Sequence, residues 1–130
     1  MDSRQAGMMV LRLGLSAVFL WFGFSQVLDG QGWIGWVPVW ATNFSGLSPE
    51  AIVFGNGLFE VVFGLLLITG FWMRYVAGLL ALHMALITLG VGFNEIGVRD
   101  FGLTAAVLAL ALLSSDSTKE HDPSPELMDV

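Results

Sequence analysis

The sequence predicts an all-α fold, an integral membrane four-helix bundle in which neighbouring helices run antiparallel. Of its 130 residues 55% are hydrophobic and 12% are charged, and the mean hydropathy is +0.76. A soluble domain carries about 25% charged residues, so the composition excludes an ordinary soluble protein. The links between the last three apolar windows are short, which makes those helices antiparallel neighbours. Each window approaches the length of about 20 residues that crosses a bilayer as a helix, and together they cover about residues 8–28, 51–70, 73–93 and 97–114.

The first window is interpreted as a retained helix. It ends in FSQVLDG, without the small-x-small cleavage site of a signal peptide. Arg12 lies one turn inside it, and Ser16 and Gly23 follow on the same face. Two interpretations of Arg12 stay open, because a long cationic side chain can extend to the membrane interface or can pair with a buried acid or a ligand head group.

The connection after this window, DGQGWIGWVPVWATNFSGLSPE, holds three tryptophans around Pro38. Tryptophan prefers the headgroup level wherever a helix ends, so Trp33, Trp36 and Trp40 are typical of an interfacial belt. The alternative is a lid over the mouth of the bundle, because an unstructured connection of this length is unusual in a compact domain. Under the lid interpretation Trp36 and Trp40 are candidate ligand contacts.

Basic residues predict the orientation of the chain. The first connection contains no lysine or arginine, whereas Arg4, Arg12, Arg74 and Lys119 fall on or near the side that holds both termini. Only Arg99 lies at the opposite end. The positive-inside rule then predicts a multi-pass protein of the plasma membrane with the N- and C-termini in the cytoplasm.

The second window, GNGLFEVVFGLLLITG, carries Glu60 near its middle. A carboxylate close to the centre of the hydrocarbon layer is rare, and function is the first hypothesis for it. Asn56 and Gly64 lie four residues to either side and share its helix face. We therefore treat Glu60 as a candidate catalytic residue and Asn56 as a candidate ligand contact.

The third window, LLALHMALIT, carries His83 at about the depth of Glu60. Adjacent antiparallel helices can bring the two side chains within hydrogen-bonding reach, which makes His83 the second candidate catalytic residue. A histidine that only donates to a backbone carbonyl is the alternative. We expect no metal site, because one histidine and one carboxylate fall short of three or four ligands. The absence of cysteine excludes thiol-disulfide chemistry and an iron-sulfur cluster held by this chain alone.

The junction before the fourth window, FNEIGVRDFGLTAAVLALALL, contains Arg99 and Asp100. Asp100 can cap the helix that begins there, since an acid is favoured in the first turn. If the fourth helix begins near Ile96, however, both residues lie below the membrane surface and must be neutralised internally. Both are candidate ligand contacts.

Two further patterns bear on packing and on the end of the chain. Ala77, Ala81 and Ala85 recur in the third window, and Gly57 and Gly64 in the second, at a spacing that favours close approach of helices. The transmembrane domain is predicted to cover 1–115. The final segment, 116–130, combines acids, serines and prolines and is predicted to be a disordered acidic tail.

At this point the chain resembles the DoxX family of small prokaryotic four-helix membrane proteins, which includes the DoxD-like subunit of thiosulfate:quinone oxidoreductase. The resemblance rests on MVLRLGLSAVFLWFGFSQ, WIGWVPVW, FEVVFGLLLITGFWMRYVAGLLALHMA and NEIGVRDFGLTAAVLALAL, with Arg12, Glu60, Arg74, Arg99 and Asp100 in place. It implies an association with quinones, sulfur-compound oxidation or oxidative stress, with partner proteins. The chain departs from the family pattern where SQVLDG follows the first helix and SSDSTK the fourth.

Three functions follow as hypotheses. The first is a redox-associated subunit, at most part of a quinone-linked oxidoreductase, that binds a quinone between its helices while Glu60 and His83 form hydrogen bonds or relay protons. A small proton-coupled transporter using Glu60 is the second, and a structural or assembly subunit the third. We expect the lipid bilayer and either a redox protein or a second copy of the chain as partners, no covalently bound cofactor and no nucleic acid.

Overall fold

The computed structural model describes residues 1–119, which contain helices and no strand. Four helices are long and apolar enough to cross a membrane, and they confirm the predicted all-α membrane bundle. The spanning helices are α1, α3, α4 and α5. The elements in chain order are α1 (Ser3–Leu28), a 3₁₀ helix (Gly30–Trp36), α2 (Val39–Ser45), α3 (Pro49–Thr69), α4 (Met73–Val91) and α5 (Glu95–Lys119).

Two helices extend beyond their predicted bounds. α1 begins at Ser3 because Asp2 caps it: the Asp2 carboxylate accepts from the Gln5 backbone N–H at 2.8 Å, and the Gln5 side chain accepts from the Asp2 N–H at 3.2 Å. α5 continues through Lys119, so the predicted start of the tail at 116 falls within this helix. The remainder of the predicted tail, 120–130, lies outside the described residues.

Tight turns join the last three helices. Gly70 ends α3 in the left-handed conformation, and α4 begins directly after Trp72. In the next turn Asn94 accepts from the Gly97 N–H at 2.9 Å. A Cβ atom on Gly97 would lie 1.9 Å from the Gly92 carbonyl oxygen, so this turn requires glycine. Turns this short make α3 and α4, and then α4 and α5, antiparallel.

The bundle consists of two helix pairs. α1 packs along α3 and α4 packs along α5, whereas α3 and α4 touch far less. Glycines allow the first pair to approach closely: a Cβ atom on Gly57 would lie 2.8 Å from the Gly23 carbonyl oxygen, and one on Gly23 would lie 2.8 Å from Val61. In the second pair Ala77 and Ala81 are buried, as their spacing predicts.

The two pairs meet tightly at one end of the bundle and separate at the other. We call the end that contains the α3–α4 turn the closed half. Its core is apolar and includes the fully buried Leu67, Leu80 and Val107. We call the end that contains the 3₁₀ helix, α2 and the α4–α5 turn the open half, and the space between the pairs there is a cavity.

The long first connection is ordered and covers the open half. Trp33 donates from its indole nitrogen to Ser25 Oγ at 3.0 Å, which ties the 3₁₀ helix to α1. Pro38 and Trp40 pack on α4 where it has no side chain, since a Cβ atom on Gly90 would lie 3.1 Å from Pro38 and 3.3 Å from Trp40. The connection therefore bridges both helix pairs, which is the arrangement expected of a lid.

Candidate functional site

The cavity of the open half has a volume of about 230 Å³ and collects most of the predicted site residues. Both helix pairs and the connection contribute to its walls, which are mainly aromatic and aliphatic. Seven of the eight predicted site residues line it, namely Asn56, Glu60, His83, Arg99, Asp100, Trp36 and Trp40, and Phe19, Phe22, Gln26, Trp33, Met84 and Ile87 are among their neighbours.

Glu60 lies near the middle of α3 and is only 4% exposed. Its Oε1 atom accepts a hydrogen bond from Asn56 Nδ2 at 3.1 Å. Its Oε2 atom is buried and has no hydrogen-bond partner among the described residues. A buried carboxylate oxygen without a partner is unfavourable, and such an atom beside a cavity indicates a place for a ligand or water.

His83 faces Glu60 across the cavity, at the depth that the sequence predicts. Its Nε2 atom lies 3.9 Å from Glu60 Oε1, beyond the range of a direct hydrogen bond. This nitrogen too is buried without a hydrogen-bond partner in the described part of the chain. The imidazole stacks on Phe59 with ring centroids 4.2 Å apart, and Phe59 stacks on Phe63 at 4.1 Å. These rings hold the imidazole at the cavity wall.

An amide chain supports Glu60 from the side of α1. Asn56 Nδ2 donates to Gln26 Oε1 at 2.6 Å as well as to Glu60. Gln26 is 7% exposed and was not among the predicted site residues, because it stands where the first window ends. Its spacing could have revealed it, since it follows Gly23 by one turn and Gly23 lies at the close contact with α3.

Arg99 and Asp100 form an ion pair on the α5 side of the cavity. Arg99 donates to Asp100 Oδ1 from Nε at 2.9 Å and from Nη2 at 2.8 Å, and Asp100 is 3% exposed. α5 begins at Glu95, close to Ile96, and the two charges neutralise each other within the protein. Asp100 does not cap the helix, because Asn94 accepts the N–H of Gly97 instead.

Aromatic rings connect this ion pair to the lid. The Arg99 guanidinium lies 4.4 Å from the centre of the Phe22 ring, a cation–π contact. Phe22 in turn meets Trp33 edge to face, with centroids 5.5 Å apart. Trp36 and Trp40 also line the cavity, yet they are 45% and 58% exposed. They therefore form its outer rim, whereas Trp33 belongs to its wall.

Arg12 is the predicted site residue that the cavity does not include. Its guanidinium lies in the closed half against the α3–α4 turn, where a Cβ atom on Gly70 would be 2.9 Å from Nη1. Among the described residues it forms no pair with Glu60, because it stands at the opposite end of α1 from Gln26. Its Nε atom is buried without a hydrogen-bond partner in residues 1–119. A role for Arg12 in ligand binding stays a prediction.

The described residues offer no group of three or more histidine, cysteine, aspartate or glutamate side chains placed to hold a metal ion. The cavity instead presents a few polar atoms that could form hydrogen bonds with a ligand, surrounded by apolar walls. At the level of Glu60 and His83 there are two unpaired polar atoms, an amide chain behind one of them and a stacked ring behind the other. This arrangement suits a small molecule that carries an oxygen atom on an apolar frame.

Comparison with known proteins gives a family and no individual relative. Neither the curated proteins nor the solved structures yield a match. The family model named DoxX matches residues 7–92, which covers most of α1 and reaches the end of α4, including Gln26, Asn56, Glu60 and His83. Arg99 and Asp100 lie beyond the matched range. Because the match spans more than half of the chain and agrees with the helical architecture, this membrane protein belongs to the DoxX family.

Proposed function

We propose that this protein binds a quinone, or a closely similar lipophilic ring compound with polar oxygens, in the cavity of the open half. It would act there as the membrane subunit of a redox system. One observation carries the proposal: Glu60 Oε2 and His83 Nε2 are both buried without hydrogen-bond partners among the described residues, and both residues line the same cavity. A ligand oxygen between them would satisfy both atoms.

The spacing of the two groups fits one bridging oxygen. Glu60 Oε1 and His83 Nε2 are 3.9 Å apart, too far for a direct bond, so the carboxyl group and the imidazole lie close enough for one ligand atom to contact both residues. Asn56 occupies Oε1, so Oε2 is the carboxyl oxygen that would face the ligand. A quinone carbonyl accepts a hydrogen bond from an imidazole N–H or a protonated carboxyl. The hydroxyl of the reduced form donates to a carboxylate or an imidazole nitrogen. Glu60 and His83 can thus serve both forms by exchanging a proton with the ligand.

The walls of the cavity suit the ring of such a ligand. Phe19, Phe22 and Trp33 contribute aromatic surface, and Met84 adds a polarisable side chain. Asn56 holds the Glu60 carboxylate through Oε1 and leaves Oε2 for the ligand. In this arrangement the apolar walls provide affinity and a few polar atoms fix the orientation, as in most small-molecule sites.

The chain has no cysteine, so it cannot carry electrons through a disulfide or an iron–sulfur cluster of its own. Reducing a quinone to its hydroquinone consumes two electrons and two protons. We propose that a redox partner protein or an oxidisable substrate supplies the electrons, and that Glu60 and His83 pass protons. The cytoplasmic position of the termini, and hence the side that the lid faces, is part of this proposal.

The test is a binding measurement on the purified protein in lipid nanodiscs. Mass spectrometry first identifies any quinone that co-purifies, and anaerobic titration with ubiquinol-1, whose hydroxyl can donate to the Glu60 carboxylate, then gives the affinity. Glu60→Gln keeps the size of the side chain and removes the carboxylate, and we expect it to weaken binding tenfold or more, consistent with about 1.5–3 kcal/mol for a hydrogen bond to a charged group. Glu50→Gln, the same change at an exposed position of α3, is the matched control.

Unchanged binding in Glu60→Gln would contradict the proposal. If the parent binds no quinone but transports a substrate across liposomes, and the variant does not, Glu60 belongs to a proton-coupled transporter. If Glu60→Gln only disturbs folding, the carboxylate is structural.

A further inference from the structure

We infer that the ligand has a ring head and a long apolar tail, and that the tail leaves the cavity between α3 and α4 into the bilayer. The inference rests on the proposed function and names the class of its ligand. It starts from the weak contact between these two helices, which are joined by a tight turn and yet touch far less than α1 and α3 do. α1 and α5 touch as little, but the contact of the Arg99 guanidinium with the Phe22 ring closes the gap between those two helices beside the cavity.

The register of α3 and α4 locates the opening. The two helices run antiparallel about Phe71, so residues equally distant from it along the chain lie at the same level. Phe59 and His83 form one such level, and their stacked rings, 4.2 Å apart, close the space between the helices near the bilayer centre. One turn closer to the lid, Asn56 of α3 lies level with Leu86 of α4. All of Asn56, Leu86 and His83 line the cavity.

Leu86 shows that the cavity reaches the lipid-facing surface. Its side chain is 56% exposed on the outer face of α4, and it also lines the cavity. Leu82 and Leu89, 58% and 80% exposed, continue the same apolar stripe along α4. Because this stripe faces the hydrocarbon in a spanning helix, a chain that passes Leu86 moves from one apolar environment into another without contact with water.

The lid bounds the opening on the side of the aqueous phase. Gly90 and Ile52 stand one level above Leu86 and Asn56. Pro38 and Trp40 pack so closely on Gly90 that a Cβ atom there would lie 3.1 and 3.3 Å from them. The gap between α3 and α4 is therefore covered by the lid above and by the Phe59–His83 stack below, and it faces the bilayer in between.

The size of the cavity explains why a tail must leave. Its volume of about 230 Å³ is smaller than the roughly 300–1,000 Å³ of sites that enclose a drug-sized ligand. On this proposal the cavity holds the quinone ring alone, and a polyprenyl chain extends out of it. With the ring oxygen at Glu60 and His83, the chain can run past Leu86, so the favoured ligand is a prenylated quinone of the membrane pool.

The test compares two probes at equilibrium in nanodiscs: 2,3-dimethoxy-5-methyl-1,4-benzoquinone, which has no tail, and ubiquinone-10. We expect Leu86→Trp to fill the opening and to lower the affinity for ubiquinone-10 at least tenfold more than it lowers the affinity for the tailless quinone. Leu82→Trp is the matched control, because Leu82 has the same exposure on the same helix and does not line the cavity. It should bind both probes like the parent.

Binding of the tailless probe reports that Leu86→Trp is folded, and Leu86→Ala adds a second variant that should retain ubiquinone-10. Equal effects of Leu86→Trp on both probes, or no effect on ubiquinone-10, would overturn the inference while the proposed function stands. A parent protein that binds neither probe would overturn both.

Discussion

The closed and open halves of the bundle are built from the same four helices, and each holds a buried polar atom without a partner among residues 1–119, but only in the open half do two such atoms belong to residues that line one cavity. In the closed half Ser16 donates to the Arg12 carbonyl at 2.8 Å and Ser114 to the Leu110 carbonyl at 2.7 Å, so each hydroxyl is satisfied within its own helix. In the open half Glu60 and His83 retain buried polar atoms with no partner among the described residues.

The same contrast appears along single helices. α3 places Leu67 in the closed core and Glu60 beside the cavity, and α4 does the same with Leu80 and His83. In a bilayer the packing of side chains and interhelical hydrogen bonds hold helices together, because lipid tails are as apolar as leucine. The closed half thus holds the fold, and the open half is available for binding. The two halves should respond differently to substitution.

The largest effect on stability is expected in the closed half. Leu80→Ala removes a fully buried side chain where both helix pairs meet. We expect a loss of about 2–3 kcal/mol, near the low end of the range for such cavities, because separated helices remain in an apolar solvent. Denaturant titration in detergent measures it, and Leu79→Ala, exposed to lipid on the same helix, is the control. Equal stability of the two variants would contradict the claim that the core of the closed half holds the fold together.

A smaller loss of stability is expected from breaking the Arg99–Asp100 ion pair beside the cavity. Arg99→Met leaves Asp100 buried without its partner, whereas Asp100→Asn leaves an arginine that is 35% exposed and still stacked on Phe22. We expect Arg99→Met to lower the free energy of unfolding by about 1–2 kcal/mol. This is less than the roughly 3–5 kcal/mol lost when a fully buried pair is broken, because solvent screens the partly exposed Arg99. Asp100→Asn should cost less. Denaturant titration of both variants tests this order, and the reverse order would show that Asp100 does not depend on Arg99.

The smallest effect is expected at the lid. Trp33→Phe removes the hydrogen bond to Ser25 and keeps an aromatic ring against Phe22. We expect the free energy of unfolding to fall by about 0.5–1.5 kcal/mol, the net contribution of one hydrogen bond. Hydrogen exchange should become faster in residues 30–45 and stay unchanged in α4. Faster exchange throughout the bundle would instead make the lid part of the fold's core.

The features that follow from single helices could be predicted from the sequence. The bilayer requires about 20 apolar residues per span, so run length alone located the four spanning helices. Depth along a helix placed Glu60 level with His83, and the junction before α5 placed Arg99 and Asp100 together. These predictions needed only the rise per residue and the order of the helices.

The features that depend on which helices pack together could not be predicted. Gln26 reaches Asn56 because Gly23 and Gly57 let α1 and α3 approach closely. The spacing of Gln26 from Gly23 places both on one face of α1, but the first window alone does not indicate which helix that face meets. The sequence also left open whether Arg12 extends to the membrane interface or pairs with a buried acid such as Glu60, and the packing of α1 on α3 places its guanidinium beside Gly70. The connection also forms a 3₁₀ helix and α2, because Gly90 offers Pro38 and Trp40 a surface to pack on.

The central claim is that Glu60 and His83 hold one and the same ligand oxygen, and a double-mutant cycle on the affinity for ubiquinol-1 tests it most directly. His83→Phe keeps a ring to stack on Phe59, and Glu60→Gln keeps the hydrogen bond to Asn56 in reach. If the oxygen is shared, the double variant should bind no more weakly than the weaker single variant, with a coupling above about 0.5 kcal/mol. Fold-changes that simply multiply, or single variants that bind like the parent, would contradict the account.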